Sequence, residues 1–92
     1  SMETIDFKLS TTIDSLGDIM GIKAFERGIE FVSLIQDDVP MNLKGDPGRL
    51  RQILTNLSGN ANKFTEKGQV YIRVSVKKNT KKKVILLFEV KD

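Results

Sequence analysis

Residues 46–65, DPGRLRQILTNLSGNANKFT, are the most constraining stretch of this sequence. Asp46 can cap the free amide groups of a helix start, and Pro47 suits the first helical position because its missing N–H group would have no partner there. Six apolar residues follow at helical spacing within an arc of about 100°: Leu50, Ile53, Leu54, Leu57, Ala61 and Phe64. The stretch therefore predicts an amphipathic helix with a buried apolar face.

Three polar residues border that apolar face. Asn56, Asn60 and Lys63 follow one another at i, i+4 and i+7 and project as one row. An amide oxygen is a hard, neutral ligand suited to Mg²⁺, and a lysine ammonium pairs with phosphate oxygens. The row predicts either a surface that holds a metal nucleotide or an ordinary solvated helix edge.

Size and composition restrict the function classes. Ninety-two residues with 39% hydrophobic content suffice for one small domain. No apolar run approaches the ~18 residues of a membrane span, so the sequence predicts a soluble domain without membrane contact. Cysteine and histidine are both absent, which excludes a disulfide framework, a thiolate metal site and an imidazole that could act as a base or accept a phosphate.

The rest of the chain predicts five strands and one more helix: strands over residues 4–9, 29–36, 41–44, 70–76 and 84–90, and a helix from Ser10 to about Arg27. Ser10 is the predicted cap of that helix, and Gly28 the predicted left-handed residue that ends it. The last strand, VILLFEV, is almost wholly apolar and predicts cover on both faces. This order favours an α/β (α+β) two-layer sandwich with both helices on one face of a mixed sheet.

The segment 46–65 resembles the N-box of sensor histidine kinases, D-P-x-R-L-x-Q-[IV]-L-x-N-L-x-x-N-A-x-K-[FY]-T. Its sequence is most similar to that of the hybrid kinases. The matching positions are Asp46, Pro47, Arg49, Leu50, Gln52, Ile53, Leu54, Asn56, Leu57, Asn60, Ala61, Lys63, Phe64 and Thr65. The resemblance implies that residues 3–92 are the N-terminal portion of the family's ATP-binding domain, the Bergerat or GHKL (HATPase_c) fold. Ser1 and Met2 look like the remnant of an expression tag.

The resemblance also implies site residues, with Mg²⁺ and ATP as cofactors. Asn60 matches the asparagine that binds Mg²⁺, and Asn56 the one that helps to position metal and phosphates. Lys63 matches a phosphate contact. Phe64 matches a wall beside the nucleotide, although core packing would explain it equally well. Asp92 matches the aspartate of the D-x-G box, which accepts a hydrogen bond from the adenine amino group.

The implied activity is phosphoryl transfer from ATP to a histidine. Related ATPases carry a water-activating glutamate where this chain has Asn56, and an amide cannot serve as that base. The sequence contains neither the family's glycine-rich boxes and lid nor a histidine-bearing dimerisation helix. It is therefore expected to be a truncated piece that is inactive alone and binds Mg-ATP weakly or not at all. Ser58 and Asn62 replace residues that are commonly apolar, and both are expected outside the main apolar stripe.

The partners implied by the resemblance are a histidine-bearing dimerisation domain and a response regulator, with the domain in the cytoplasmic part of a membrane-bound sensor. Strand edges without cover predict self-association through strand pairing or exchange of elements.

Two other functions stay open. The net charge of +3 comes mostly from lysines in residues 77–83, which would suit a nucleic-acid-binding module, but no stacking pattern of aromatic residues accompanies them. The other is a purely structural dimerisation domain.

Overall fold

The computed structural model describes residues 4–92, so the predicted tag remnant, Ser1 and Met2, lies outside the described residues. These residues form five strands and two helices: β1 (Ile5–Lys8), α1 (Leu9–Glu26), β2 (Glu30–Ile35), β3 (Asn42–Gly45), α2 (Pro47–Phe64), β4 (Gln69–Asn79) and β5 (Val84–Lys91). The order and type of every predicted element are confirmed. No helix in this part of the chain is both long and apolar enough to cross a membrane.

The strands form two separate sheets. In the larger one β4 is central, with β2 parallel to it on one side and β5 antiparallel on the other. A parallel pair needs a crossover connection, and here the crossover includes β3 and α2. β1 and β3 form an antiparallel pair of their own. The predicted two-layer α/β architecture with a mixed sheet is therefore confirmed, although the five strands do not join one sheet.

The core lies between the two helices and the inner face of the larger sheet. On β4 the buried residues alternate strictly, at Val70, Ile72 and Val74. The buried apolar residues of the helices recur at helical spacing: Leu9, Ile13, Leu16, Met20 and Ala24 on α1, and Leu54 on α2. Both helices therefore cover one face of the sheet, and no element of the described residues covers the other face.

The start of α1 differs from its prediction. The helix begins at Leu9 rather than after Ser10, and its N-cap residue, Lys8, makes no side-chain capping hydrogen bond. The physical reason is that Leu9 is fully buried and its amide donates a 2.8 Å hydrogen bond to the Met41 carbonyl, so β1 passes directly into the helix. The end of α1 is as predicted, since Gly28 has φ +74°.

The hairpin between β4 and β5 is longer than predicted. The register shifts between Val76 and Lys78, which leaves Lys77 as an extra residue in a β-bulge and extends β4 to Asn79. The loop shortens to residues 80–83. β5 is covered on one face only, because Leu86, Phe88 and Val90 pack against the core while Ile85 and Leu87 are exposed.

Candidate functional site

The predicted polar row lies on the solvent-exposed side of α2. Asn56, Asn60 and Lys63 are all exposed. Within residues 4–92 the side-chain amides of Asn56 and Asn60 form no hydrogen bond with the protein, and the Lys63 ammonium forms no salt bridge. The two amides stand one turn apart, about 6 Å along the helix axis. Their oxygen atoms and the ammonium are therefore free to bind a ligand.

The helix is positioned by the capping that the sequence predicts. The Asp46 side chain accepts a 3.0 Å hydrogen bond from the Arg49 amide, and Pro47 occupies the first turn. At the other end the Thr65 amide donates to the Ala61 carbonyl. Because both ends are fixed, the row has one defined orientation relative to the sheet.

Phe64 is next to this row and faces solvent. Its side chain is 73% exposed, and the Lys63 Nζ atom lies 5.5 Å from the centroid of its ring. This distance permits a cation–π contact. Core packing of Phe64, one of the two interpretations of the sequence, is therefore not found. An exposed aromatic ring beside an ammonium offers a stacking surface and a positive charge at the same place.

The apolar face of α2 is buried only in part, which corrects the prediction that all of it is covered. Leu54 is 1% exposed, whereas Ile53 and Leu57 are 51% and 48% exposed. The reason is that α1 and the sheet together cover a face of α2 that is centred away from the middle of the apolar stripe. Ile53, Leu57 and Phe64 consequently form an exposed apolar strip alongside the amides.

Ser58 and Asn62 lie on the buried face of α2, so the expectation that they fall outside it is wrong. Both are buried, and the Asn62 side-chain nitrogen donates a 3.2 Å hydrogen bond to the Met20 carbonyl of α1. The Ser58 hydroxyl is buried without a partner among the described residues. A polar contact with the α1 backbone therefore accompanies the apolar packing of Ala61 in this part of the helix.

Asp92 is brought to the C-terminal end of the same helix. Its carboxylate accepts a 3.1 Å hydrogen bond from the Thr65 hydroxyl, and the Thr65 carbonyl accepts a 2.9 Å hydrogen bond from the Arg27 guanidinium. Thr65 thus links the ends of α1, α2 and β5. Thr65 is one of the positions that match the motif, whereas no sequence pattern points to Arg27.

The two amides and the lysine are suited to a metal ion that is already bound to a phosphate anion. The described part of the chain contains no group of three or more histidine, cysteine or acidic residues that could hold a metal. Two neutral amide oxygens are weak ligands alone but can complete the shell of a Mg²⁺ ion that phosphate oxygens already coordinate. A lysine ammonium beside them could pair with the negative charge that remains on such phosphates.

Known proteins that are similar to this chain in sequence are named as histidine kinases. No family model matches the chain. A rice protein (Oryza sativa subsp. japonica) described as "Probable histidine kinase 3" is 48% identical over 75 residues, which are 82% of this chain and 7% of that protein. The Escherichia coli K12 signal transduction histidine-protein kinase BarA is 40% identical over 91 residues, 99% of this chain and 10% of BarA. The chain thus spans about a tenth or less of these relatives.

Solved structures agree with the sequence relatives. ShkA, solved at full length in complex with AMPPNP, is 35% identical with a TM-score of 0.75, over 82% of this chain and 16% of ShkA. The histidine kinase ThkA, solved with the response regulator protein TrrA, is 26% identical with a TM-score of 0.67, over 79% of this chain and 22% of ThkA. The chain therefore belongs to the histidine kinase family, and its fold matches that of histidine kinase ATP-binding domain structures.

Proposed function

We propose that this chain forms part of the ATP-binding catalytic domain of a two-component sensor histidine kinase, an ATP phosphotransferase. The observation that carries the proposal is the exposed pair of side-chain amides of Asn56 and Asn60 on α2, which have no hydrogen-bond partner within residues 4–92. In a chain 40–48% identical to histidine kinases, these amides fit a role in holding a metal nucleotide. The solved complex of ShkA with AMPPNP supports ATP as the nucleotide.

Each site residue has a proposed role. Asn60 and Asn56 would coordinate Mg²⁺ and position the phosphates, and Lys63 would contact a phosphate oxygen. Phe64 would form an apolar wall beside the nucleotide, and Asp92 would accept a hydrogen bond from the adenine amino group. When bound, Mg²⁺ supplies neutralisation of the charge that develops on the transferred phosphoryl group. The residues of this chain contribute binding and orientation, which are the main requirements of phosphoryl transfer.

The phosphate acceptor has to come from elsewhere. The chain contains no histidine, so the acceptor imidazole would belong to a separate dimerisation domain. The Asn56 amide cannot remove a proton from water, which disfavours hydrolysis as a competing reaction. We therefore propose transfer of the γ-phosphate to that histidine and then to a response regulator, as the complex of ThkA with TrrA suggests. This chemistry would place the domain in the cytoplasmic part of a sensor.

The 92-residue chain alone is expected to be inactive and to bind Mg-ATP weakly. Asn56, Asn60, Lys63 and Phe64 are exposed, so a nucleotide would contact protein on one side only. Phosphate charges that stay in water gain little from a single lysine. Affinity weaker than about 1 mM is therefore expected, which corresponds to about 4 kcal/mol of binding free energy.

An NMR titration of the chain with ATP, with and without Mg²⁺, tests the site. The expected result is a Mg²⁺-dependent shift of the amide signals of Asn56, Asn60 and Lys63 that Asn60→Ala abolishes. Gln36→Ala, which removes an exposed side-chain amide just after β2, should leave the shifts unchanged. Equal shifts in wild type and Asn60→Ala would contradict the proposed role of the row. Micromolar affinity that disappears in Asn60→Ala would contradict the weak binding expected of this chain alone.

Self-association is proposed as a second property. The outer edge of β2 has no strand partner in the described part of the chain, and the open face of the sheet exposes Leu34, Ile85 and Leu87. Unpaired edges and apolar faces favour pairing with another copy or exchange of elements. Light scattering at high micromolar concentration tests this, and a monomeric mass there would count against it.

The nucleic-acid alternative has less support. The lysine-rich hairpin is the feature that suggested it, but residues 72–87 contain no aromatic residue. Tyr71 lies at the far end of β4, on the sheet. Single strands are held mainly by stacking of bases on aromatic side chains, so the hairpin lacks that platform. Binding of a nucleic-acid oligomer that weakened steeply with salt would favour this alternative.

A further inference from the structure

The hairpin between β4 and β5 concentrates positive charge at one end of the molecule. Lys77, Lys78, Lys81, Lys82 and Lys83 are all exposed there. β5 leads away from this hairpin over eight residues to Lys91, which precedes Asp92. Eight strand residues span about 26 Å. The lysines are therefore remote from the C-terminal end of α2, and the proposed nucleotide site does not use them.

A cleft lies between this hairpin and β3. Its volume is about 370 Å³, and three lysines of the hairpin loop, Lys81–Lys83, line one side of it. Lys44 and Asn42 of β3 line the opposite side, and Asn79 of β4 contributes a second amide. Four lysines and two asparagines therefore belong to the lining of one small cleft. We call this region, Asn42, Lys44 and Asn79–Lys83, the basic cleft.

The loop that presents these lysines is held in a defined conformation. The Thr80 amide and hydroxyl both donate to the Lys83 carbonyl, at 2.9 Å and 3.0 Å, and the Lys83 amide donates to the Thr80 hydroxyl at 3.1 Å. The loop backbone thus satisfies its own hydrogen bonds across the turn. The ammonium groups of Lys81, Lys82 and Lys83 take no part in these hydrogen bonds, and all three residues are exposed.

The charge of the basic cleft is poorly neutralised by the protein. Among the described residues, no carboxylate lies within salt-bridge distance of the five hairpin lysines, and Lys44 has only the exposed Asp6 at 4.0 Å. The chain has fifteen basic and twelve acidic residues. Without the five hairpin lysines and Lys44, nine basic residues would remain, and the net charge of the chain would be −3. The positive charge is therefore concentrated in this region of the chain. Exposed charges interact with little screening only over distances shorter than the Debye length, about 8 Å, so a ligand bound in the cleft would interact mainly with the lysines that line it.

We propose that the basic cleft binds a compact ligand carrying two or more adjacent phosphate groups, either a free oligophosphate or the headgroup of a phosphorylated lipid. Lysine ammonium groups pair with phosphate oxygens as point charges, and amide groups donate hydrogen bonds to them. A ligand with one carboxylate could meet only part of this array. A small cleft with several cations favours a compact ligand of high negative charge density over a long polymer.

The first test is an NMR titration of the chain with inorganic tripolyphosphate at 50 mM NaCl. The expected result is a set of shifts at Lys44 and Asn79–Lys83. K81Q/K82Q should weaken binding at least fivefold, while K23Q/K67Q, which removes the same charge at two other exposed positions, should weaken it less than twofold. Equal losses in the two variants, or shifts confined to α2, would overturn the proposal. Circular dichroism of both variants checks that they are folded.

A second test separates the two sources of the ligand. Phosphatidylcholine vesicles with phosphatidylinositol 4,5-bisphosphate are compared with vesicles that carry phosphatidylserine at the same surface charge. Stronger binding to the bisphosphate vesicles, lost in K81Q/K82Q, identifies a lipid headgroup. Binding of tripolyphosphate without binding to either vesicle identifies a soluble ligand. Equal binding to both vesicle types would overturn the proposal, because it would show attraction to diffuse charge only.

Discussion

The Thr65 hydroxyl donates a 3.1 Å hydrogen bond to the Asp92 carboxylate and so joins the end of α2 to the end of β5. The Thr65 carbonyl oxygen also accepts a hydrogen bond from the guanidinium of Arg27, the residue that follows α1. The residues 27, 65 and 92 are far apart in sequence, and their contact fixes the position of Asp92 relative to the amide row of α2. One threonine therefore connects the two ends of the proposed nucleotide site.

Replacing Thr65 by valine tests this connection. Valine preserves the shape of a side chain that is 5% exposed but removes the donor to Asp92. The free energy of unfolding should fall by about 1 kcal/mol, the usual worth of one such hydrogen bond. Urea denaturation followed by circular dichroism measures the loss. Thr65→Ser retains the hydroxyl and should lose less, and equal losses in the two variants would show that the methyl group matters instead.

Two leucines of α2 test which of its faces is buried. Leu54 is 1% and Leu57 48% exposed. Leu54→Ala should therefore lower the free energy of unfolding by about 2–4 kcal/mol through lost burial and a residual cavity. Leu57→Ala should lower it by less than about 1 kcal/mol. Urea denaturation measures the free energy of unfolding of both variants. A larger loss of this free energy in Leu57→Ala would support the helix orientation that the apolar stripe alone predicts.

The buried hydroxyl of Ser58 is expected to destabilise the fold. It has no hydrogen-bond partner among the described residues, so Ser58→Ala removes an unsatisfied polar group and improves helix propensity. Together these effects should raise the free energy of unfolding by about 1 kcal/mol. Ser33→Ala, at an exposed position of β2, should change it by less than about 0.5 kcal/mol. A clear loss in Ser58→Ala would indicate that a buried water satisfies the hydroxyl.

The Asp46 cap should contribute measurably to α2. Asp46→Ala removes the acceptor for the Arg49 amide and should lower the free energy of unfolding by about 1 kcal/mol. Asp46→Asn keeps a capping oxygen without the charge and should remain near wild type. Thermal unfolding of the three proteins at one pH makes the comparison. If the asparagine variant loses as much as the alanine variant, the carboxylate charge rather than the cap stabilises this region.

Local signals made most of the fold predictable from sequence. Asp46 and Pro47 mark the start of α2, Gly28 marks the end of α1, and alternation at Val70, Ile72 and Val74 marks the central strand. Each of these signals acts within a few residues, where backbone sterics and hydrogen bonding are decided. The exposure of the amide row on α2 was predictable for the same reason.

The contacts between elements were not predictable in this way. The apolar stripe of α2 does not reveal that Ile53 and Leu57 are exposed, because the covered face depends on where α1 lies. Asn62 is buried because its amide reaches the Met20 carbonyl, 42 positions away in sequence. The bulge at Lys77 depends on pairing with β5. Such features follow from the tertiary arrangement, which periodicity does not encode.

The parallel pairing of β2 with β4 has a consequence for how the chain folds. Glu30 lies opposite Gln69, so β2 finds its partner only after the crossover that contains β3 and α2 has closed. Pairings of such high sequence separation slow folding, since the entropy of loop closure is lost before any contact is gained. During synthesis, β2 therefore leaves the ribosome well before β4 and stays unpaired with it until β4 has also emerged.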